Sequence, residues 1–380
     1  MNTPSCSPCQ RPMTRYGKTG TGRQRYRCPS CGTTQVAQIN TDAKDLALFL
    51  SFLFSRKRQR DLPGAGRTYR RRTQRFWALW PLPPIVDEVH RVVYVDGIHL
   101  GRLAVILIAT SNTHVLGWHL ARTERTTSWE ALLSKIAAPD AVVTDGGQGF
   151  AAARRKLWPH TKVQRCLFHA FSQVRRQTTT RPRTQAGVEI YGLAKALMKV
   201  STNVEAAAWL VAYGQWRNRW EEFLAEKTTL ATGRTVFTHQ RLITARSSLD
   251  TLIRSSTLFT FVDPKNYPAS AYLAVPLPAT NNRIEGGVNT QLRALLRDHR
   301  GMSFERRIKA IMWWCYMHTE TPLSPAMILQ TMPTESQISE LYQAAARRES
   351  HERDIGLPVM GTIAVWNELH HTSPHPNSWT

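Results

Sequence analysis

Acid is nearly missing from the first 80 residues of this 380-residue chain. Sixteen lysines and arginines, Arg11 through Arg75, stand there against Asp42, Asp45 and Asp61, a net +13 of the whole chain's +23. A field that lopsided excludes a basic partner and favours polyanions, whose condensed counterions are released as phosphates are neutralised. Long apolar runs are also missing. The stretch Leu103 to Ala109 is among the longest, far below the roughly 20 residues of a membrane-spanning helix. The opening MNTPSCSPCQRPM has no apolar secretion signal, so a cytoplasmic protein without membrane contact is expected. Cysteines number only six, which together with the missing export signal argues against a disulfide framework. No nucleophile motif and no internal repeat is present. A hydrophobic fraction of 42% is ordinary for globular chains and argues against wholesale disorder.

Four of the six cysteines fall in the first 31 residues. Cys6-Ser7-Pro8-Cys9 and Cys28-Pro29-Ser30-Cys31 are two C-x2-C pairs that can offer four thiolates to one tetrahedral Zn²⁺. Residues 1–40 are therefore expected to be a zinc ribbon with a structural Zn²⁺. Residues 41–84 follow as a helix-turn-helix. Asp42 caps an apolar run from Leu46 to Phe54, and Arg56, Lys57, Arg58 and Arg60 come next. A compact Asp61–Gly66 turn then leads into a second helix carrying Arg67, Arg70, Arg71, Arg72 and Arg75 beside Phe76, Trp77 and Trp80. These nine basic residues are the expected DNA contacts. The linker Trp80–Pro84 marks a boundary near residue 85.

Beyond it the pattern turns to strands: 91–99, 103–110, 114–120, 141–144 and 161–165, with helices over 129–138 and 150–157. That is a mixed α/β sheet. Ser128 is the expected cap of the first helix. Residues 170–279 read as a helical insertion. Its Trp209, Trp216, Trp220 and Phe223 suit either a packed seam or a base-stacking surface. Residues 280–320 return to the core, with Ser303 capping a helix that buries Trp313 and Trp314. The tail 321–380 is weakly patterned, and its histidine-bearing end reads as loosely ordered.

Two carboxylates end strands and precede glycine: Asp96-Gly97, and Asp145-Gly146-Gly147 in AVVTDGGQGF. Strand ends of an α/β sheet share one open edge. Two acids held close there repel unless a divalent cation joins them, so Asp145 reads as half of a Mg²⁺ site, its glycines leaving room for a phosphate. Glu285, in Thr280-Asn281-Asn282-Arg283-Ile284-Glu285-Gly286-Gly287, is the preferred third ligand over Asp250, Asp263 and Asp298.

The ordered set Asp96-Gly, Asp145-Gly, Cys166-Leu167-Phe168-His169 and Asn-Asn-Arg-Ile-Glu285 resembles the Mutator-like transposases of bacterial insertion sequences, over 91 to about 320. The resemblance implies an RNase H-like fold: residues 85–169 and 280–320 form the catalytic core, interrupted by the insertion. It also implies a triad of Asp96, Asp145 and Glu285 holding two Mg²⁺ (or Mn²⁺), and a C-x2-H motif at Cys166 and His169, with His169 near the chemistry. The implied partners are DNA element ends and target DNA, bound by at least a dimer in the bacterial nucleoid. Strand cleavage and strand transfer would both be in-line displacements at phosphorus. A nuclease or resolvase without strand transfer, and an inactive DNA-binding regulator, remain the alternatives. Cys166 and His169 could also join Cys315 and His318 in a second zinc site.

Overall fold

The computed structural model describes residues 3–36, 40–266 and 277–354. Two compact units emerge, Met1–Phe49 with Leu323–Thr331, and Leu50–Pro322 with Met332–Thr380. The tail's histidine-bearing end lies outside the described residues.

The first unit holds a three-stranded antiparallel sheet, β1 (Thr14–Lys18), β2 (Gln24–Arg27) and β3 (Thr34–Val36), in that order. The strands are exposed or half-buried, and among the described residues the buried cluster packed with them is Cys6, Met13 and Cys28. So little apolar burial cannot hold a sheet of this size, and a staple is needed. Helix α1 (Asp42–Leu53) begins in this unit, which also contains the helix Pro325–Thr331. Asp42 opens α1 inside its first turn, and its amide donates to Asn40 Oδ1 at 2.8 Å.

In the second unit, the basic segment forms α2 over Arg67–Thr73 and then tightens to a 3₁₀ turn, Gln74–Ala78. The second helix is therefore shorter than its sequence pattern predicts. The central sheet comprises β4 (Val92–Leu100), β5 (Ala104–Thr110), β6 (Val115–Ala121), β7 (Ala141–Thr144) and β8 (Lys162–Arg165), ordered β6-β5-β4-β7-β8. The first three strands are an antiparallel meander, and β7 and β8 join in parallel. Every residue of β5 and β6 is buried, as in a sheet covered on both faces. Val93 and Val95 point to one face, where they pack with Trp129, Leu132, Phe150 and Trp158 of α3 (Thr126–Leu133) and α4 (Gln148–Leu157) and their flanks. The two-residue strand period turns Tyr94 and Asp96 to the other face.

Two local expectations are corrected. Ser128 does not cap α3: the helix starts at Thr126, and buried Ser128 donates to the Thr123 carbonyl at 3.1 Å. Asp96 does not end its strand, because β4 continues to Leu100 on its pairing with β5, while β7 pairs only with Val92–Tyr94.

The helical region contains α5 (Leu167–Thr178), α6 (Gln185–Leu197), α7 (Asn203–Arg219), the short α8 (Glu221–Ala225), a β9–β10 hairpin (Lys227–Thr229, Thr235–Phe237) and α9 (Gln240–Arg254). Trp209 and Trp216 are buried and donate their indole N–H groups to the Leu193 and Ala186 carbonyls. The aromatic stripe is a packing seam, each polar edge satisfied. A π-helix over Arg283–Asn289 then leads into α10 (Thr290–Asp298) and α11 (Phe304–Met317), whose Trp313 and Trp314 are buried as expected.

Candidate functional site

Strand register assembles the centre. Val92, Val93 and Tyr94 of β4 face Ala141, Val142 and Val143 of β7. Continuing that register two residues sets Asp145 level with Asp96. On the other side, Thr144 faces Arg165 of β8, and the Cys166 amide donates to the Thr144 carbonyl at 2.9 Å. One more step sets Cys166 level with Asp145. Asp96, Asp145 and Cys166 thus form a row across three neighbouring chains, which in a sheet run about 4.8 Å apart.

The segment bearing Glu285 is tied to this row at three points. Asn281 donates its side-chain amide to the Val95 carbonyl at 3.0 Å and its backbone N–H to Cys166 Sγ at 3.3 Å. Leu167 N–H donates to the Ala279 carbonyl at 3.0 Å. From the far end of the π-helix, Asn289 Nδ2 donates to Asp96 Oδ2 at 2.7 Å, while Asp96 Oδ1 accepts from the Gly97 amide at 2.9 Å. π-turns recur at functional sites, where their extra residue re-aims side chains.

Burial pushes the Asp96 carboxyl up to about 7, and the neighbouring charges of Asp145 and Glu285 push the same way against the Gly97 hydrogen bond. The charges of the other two predicted acids therefore reach Asp96. Glu285, however, leans toward the C-x2-H motif: its Oε1 lies 3.9 Å from Cys166 Sγ and 3.2 Å from His169 Nδ1. The second contact has ion-pair distance without hydrogen-bond alignment. Contact with Cys166, then with Glu285, raises His169 to about 10.

The glycines serve a different purpose from the one their sequence suggests. A Cβ on Gly97 would fall 2.5 Å from Glu124 Oε1, and one on Gly146 would overlap the Arg165 guanidinium. These two spaces hold side chains, not an approach for phosphate; a Cβ on Gly147 would make only ordinary contact, with Glu124 Oε2 at 3.8 Å. Glu124, in the loop before α3, pairs with His99 at 2.9 Å, and burial followed by the charge of Asp145 raises its pKa. Arg165 is buried, with Nε and Nη1 lacking hydrogen-bond partners; burial lowers its pKa and Asp145 opposes that. Glu124, Arg165 and Asn289 were missed from sequence. Only Asn289, repeating the Asn-rich character of its segment, left a local signal.

Among the described residues, two groups of three or more potential metal ligands bring all their donor atoms within 4.8 Å: Cys6, Cys9, Cys28 and Cys31, and Cys166, His169 and Glu285. Asp96 and Asp145 complete no group that tight with Glu285. Cys315 and His318 belong to neither. Cys315 is buried in α11, and His318 stacks on Trp314 while its Nδ1 bonds the Trp314 carbonyl at 2.7 Å, so the second four-ligand zinc site is not formed.

The four N-terminal cysteines sit on two matching knuckles. Gln10 N–H donates to the Cys6 carbonyl and Gly32 N–H to that of Cys28, with Gln10 and Gly32 both in the left-handed region. Sγ–Sγ separations of 3.4, 3.4 and 3.7 Å approach the ~3.8 Å edge of a tetrahedron with Zn–S bonds of about 2.3 Å. This set can hold zinc.

Arg56, Lys57, Arg58, Arg60, Arg67, Arg70, Arg71, Arg72 and Arg75 are all exposed. No helix among the described residues is long and apolar enough to cross a membrane. Residues 96–237 match the family model described as Transposase, Mutator family. The match begins on Asp96 and takes in Asp145, Cys166 and His169, but stops before Glu285. No curated protein matches the chain.

Proposed function

We propose that this chain, which carries a Mutator-family transposase domain, cuts DNA strands at element ends and joins the freed 3′-OH to target DNA. The observation that supports the reading best is the row of Asp96 and Asp145 with Glu285 delivered beside it by the pinned 279–289 segment. Asp96, whose ionisation is opposed by burial and by the charges of Asp145 and Glu285, suits a hard divalent cation shared with those two acids. Asp96, Asp145 and Glu285 would hold Mg²⁺ or Mn²⁺, which when bound activates the attacking oxygen and stabilises the leaving one.

The chain's own groups set this up. Asn289 and the Gly97 amide fix both oxygens of Asp96. Cys166 and His169 hold Glu285. His169, with its Nδ1 3.2 Å from Glu285 Oε1, positions that carboxylate. The four cysteines would carry a structural zinc, and the exposed arginines of 56–75 would grip DNA phosphates. Synapsis of two ends would need at least a dimer, working in the cytoplasm on the bacterial nucleoid.

The test is a strand-transfer assay with labelled element ends, read from the DNA flanking the gene, comparing wild type with Asp145→Asn in Mg²⁺. Joined products that vanish in the variant, with DNA binding kept, are expected. Nicking without joining would leave a nuclease, and binding without chemistry a regulator.

A further inference from the structure

A cavity of about 560 Å³ opens in the second unit, away from the carboxylates, between the basic segment and the α10–α11 connection. Its wall carries six arginines, Arg56, Arg58, Arg70, Arg297, Arg300 and Arg306, against one acid, Asp298. All six are exposed. The floor is aromatic: the buried rings of Phe52 and Tyr69 lie 4.5 Å apart, and His299 stands 5.1 Å from Phe52 with its Nε2 on the Ser55 carbonyl. At the side, Arg306 lies over the partly exposed Trp77 ring at 5.4 Å.

The basic segment is divided by this cavity. Arg70, Thr73, Gln74 and Trp77 line it, and their three- and four-residue spacing is one helical face. Arg67, Arg71, Arg72 and Arg75 do not line it. One face of what reads as a groove-facing helix thus looks onto a concave pocket shared with Arg297, Arg300 and Arg306. A duplex is read by convex elements entering its grooves. A pocket within the ~300–1,000 Å³ range of small-ligand sites, with guanidinium groups at the rim and rings within, fits a different shape: phosphate outside and a base inside.

We propose that this cavity takes one unstacked nucleotide of a DNA strand, its phosphates on the arginine rim and its base against Trp77. The proposal rests on the DNA-processing reading for its occupant, but not on the metal site. A free nucleotide shares the same chemistry; a strand is favoured because the rim arginines continue into the exposed basic run from Arg56 to Arg75, which follows a chain of phosphates.

The full-length protein, without added divalent ion, is titrated by fluorescence anisotropy into a labelled oligothymidine and into a blunt duplex of equal length. Loss of a stacking ring is worth ~1–3 kcal/mol per base, so Trp77→Ala should weaken single-strand binding on the order of tenfold and duplex binding far less. The Trp77 carbonyl accepts from Lys309, so folding is checked by melting. Arg70→Glu with Arg300→Glu, both on the exposed rim and giving up the Arg70 bond to Gln59 Oε1, is a second reading, its folding checked likewise by melting: single-strand affinity should again fall more than duplex affinity. Equal losses on both DNAs from the arginine pair, with Trp77→Ala within twofold of wild type, would overturn the base pocket. So would competition by free dTMP as effective as that by the oligonucleotide. Joined ends alongside unaltered single-strand binding in these variants would sink this proposal alone; normal pocket binding without strand joining would sink only the catalytic one.

Discussion

Arg165 lies across Gly146: the space a Cβ would take on Gly146 is filled by the guanidinium, and the Gly146 backbone stands at φ +87°. The contact sets a buried cation beside Asp145, where it offsets part of the repulsion among the carboxylates. Gly146→Ala should therefore cost on the order of 1–3 kcal/mol from backbone strain, with a further loss from expelling Arg165. The steric part is separable by a double-mutant cycle in denaturant melts. In an Arg165→Ala background the same glycine substitution should cost less, and an identical cost in both backgrounds would show that the two residues are not coupled.

Glu124 is the fourth carboxylate at this edge, over Gly97 and within the field of Asp145. Groups that orient metal ligands are worth about 10–100-fold in metal affinity. Calorimetric titration with Mn²⁺ should show binding weakened about tenfold in Glu124→Gln and removed in Asp145→Asn. Affinity equal to wild type in Glu124→Gln would reduce Glu124 to the partner of His99.

What was legible in the sequence follows how local the signal was. The β-branched runs before Asp96 and Asp145 announce strands by themselves, and two Asp-Gly steps mark the edge where they meet. The C-x2-C pairs announce themselves likewise. Glu124 has no such signature in RTERTT; its place comes from where the chain leaves β6, a long-range property of the meander. Arg165 reads as the polar end of a strand, and only the β7–β8 register lays it over Gly146. The glycines were visible but their purpose was not, because an open space and a space filled by a distant side chain look alike in sequence. The π-turn is hidden for a related reason: the apolar spacing of Ile284, Val288, Leu292 and Leu295 reads as an unbroken α-helix.

The first unit offers a test of the zinc set that does not depend on catalysis. The cluster packed with its three strands is two buried cysteines and Met13, with Cys9 and Tyr26 partly buried, so the sheet depends on the thiolates, and structural zinc binding is folding free energy. Cys28→Ser should lose bound zinc, measured by elemental analysis, and expose residues 3–36 to limited proteolysis, while the second unit stays resistant. Retained zinc with an unchanged digestion pattern would remove the ribbon's metal from the account.

A pH effect should come from His119, within β6. Its side chain is buried, its Nε2 has no hydrogen-bond partner, and burial, helped by the charge of Lys135, lowers its pKa to about 3. The unfolded value is near 6.5. Between those limits the unfolded chain binds a proton that the folded chain refuses, so stability falls as pH drops below about 6.5 and goes on falling toward 3. By pH 5 the linkage amounts to ~2 kcal/mol. His119→Leu removes the titrating group at similar volume, so the stability lost between pH 7 and pH 5 in urea should shrink by about that amount. Other titrating groups contribute equally to both proteins and cancel in the comparison. Equal acid sensitivity in variant and wild type would mean that His119 takes up its proton without leaving the folded state.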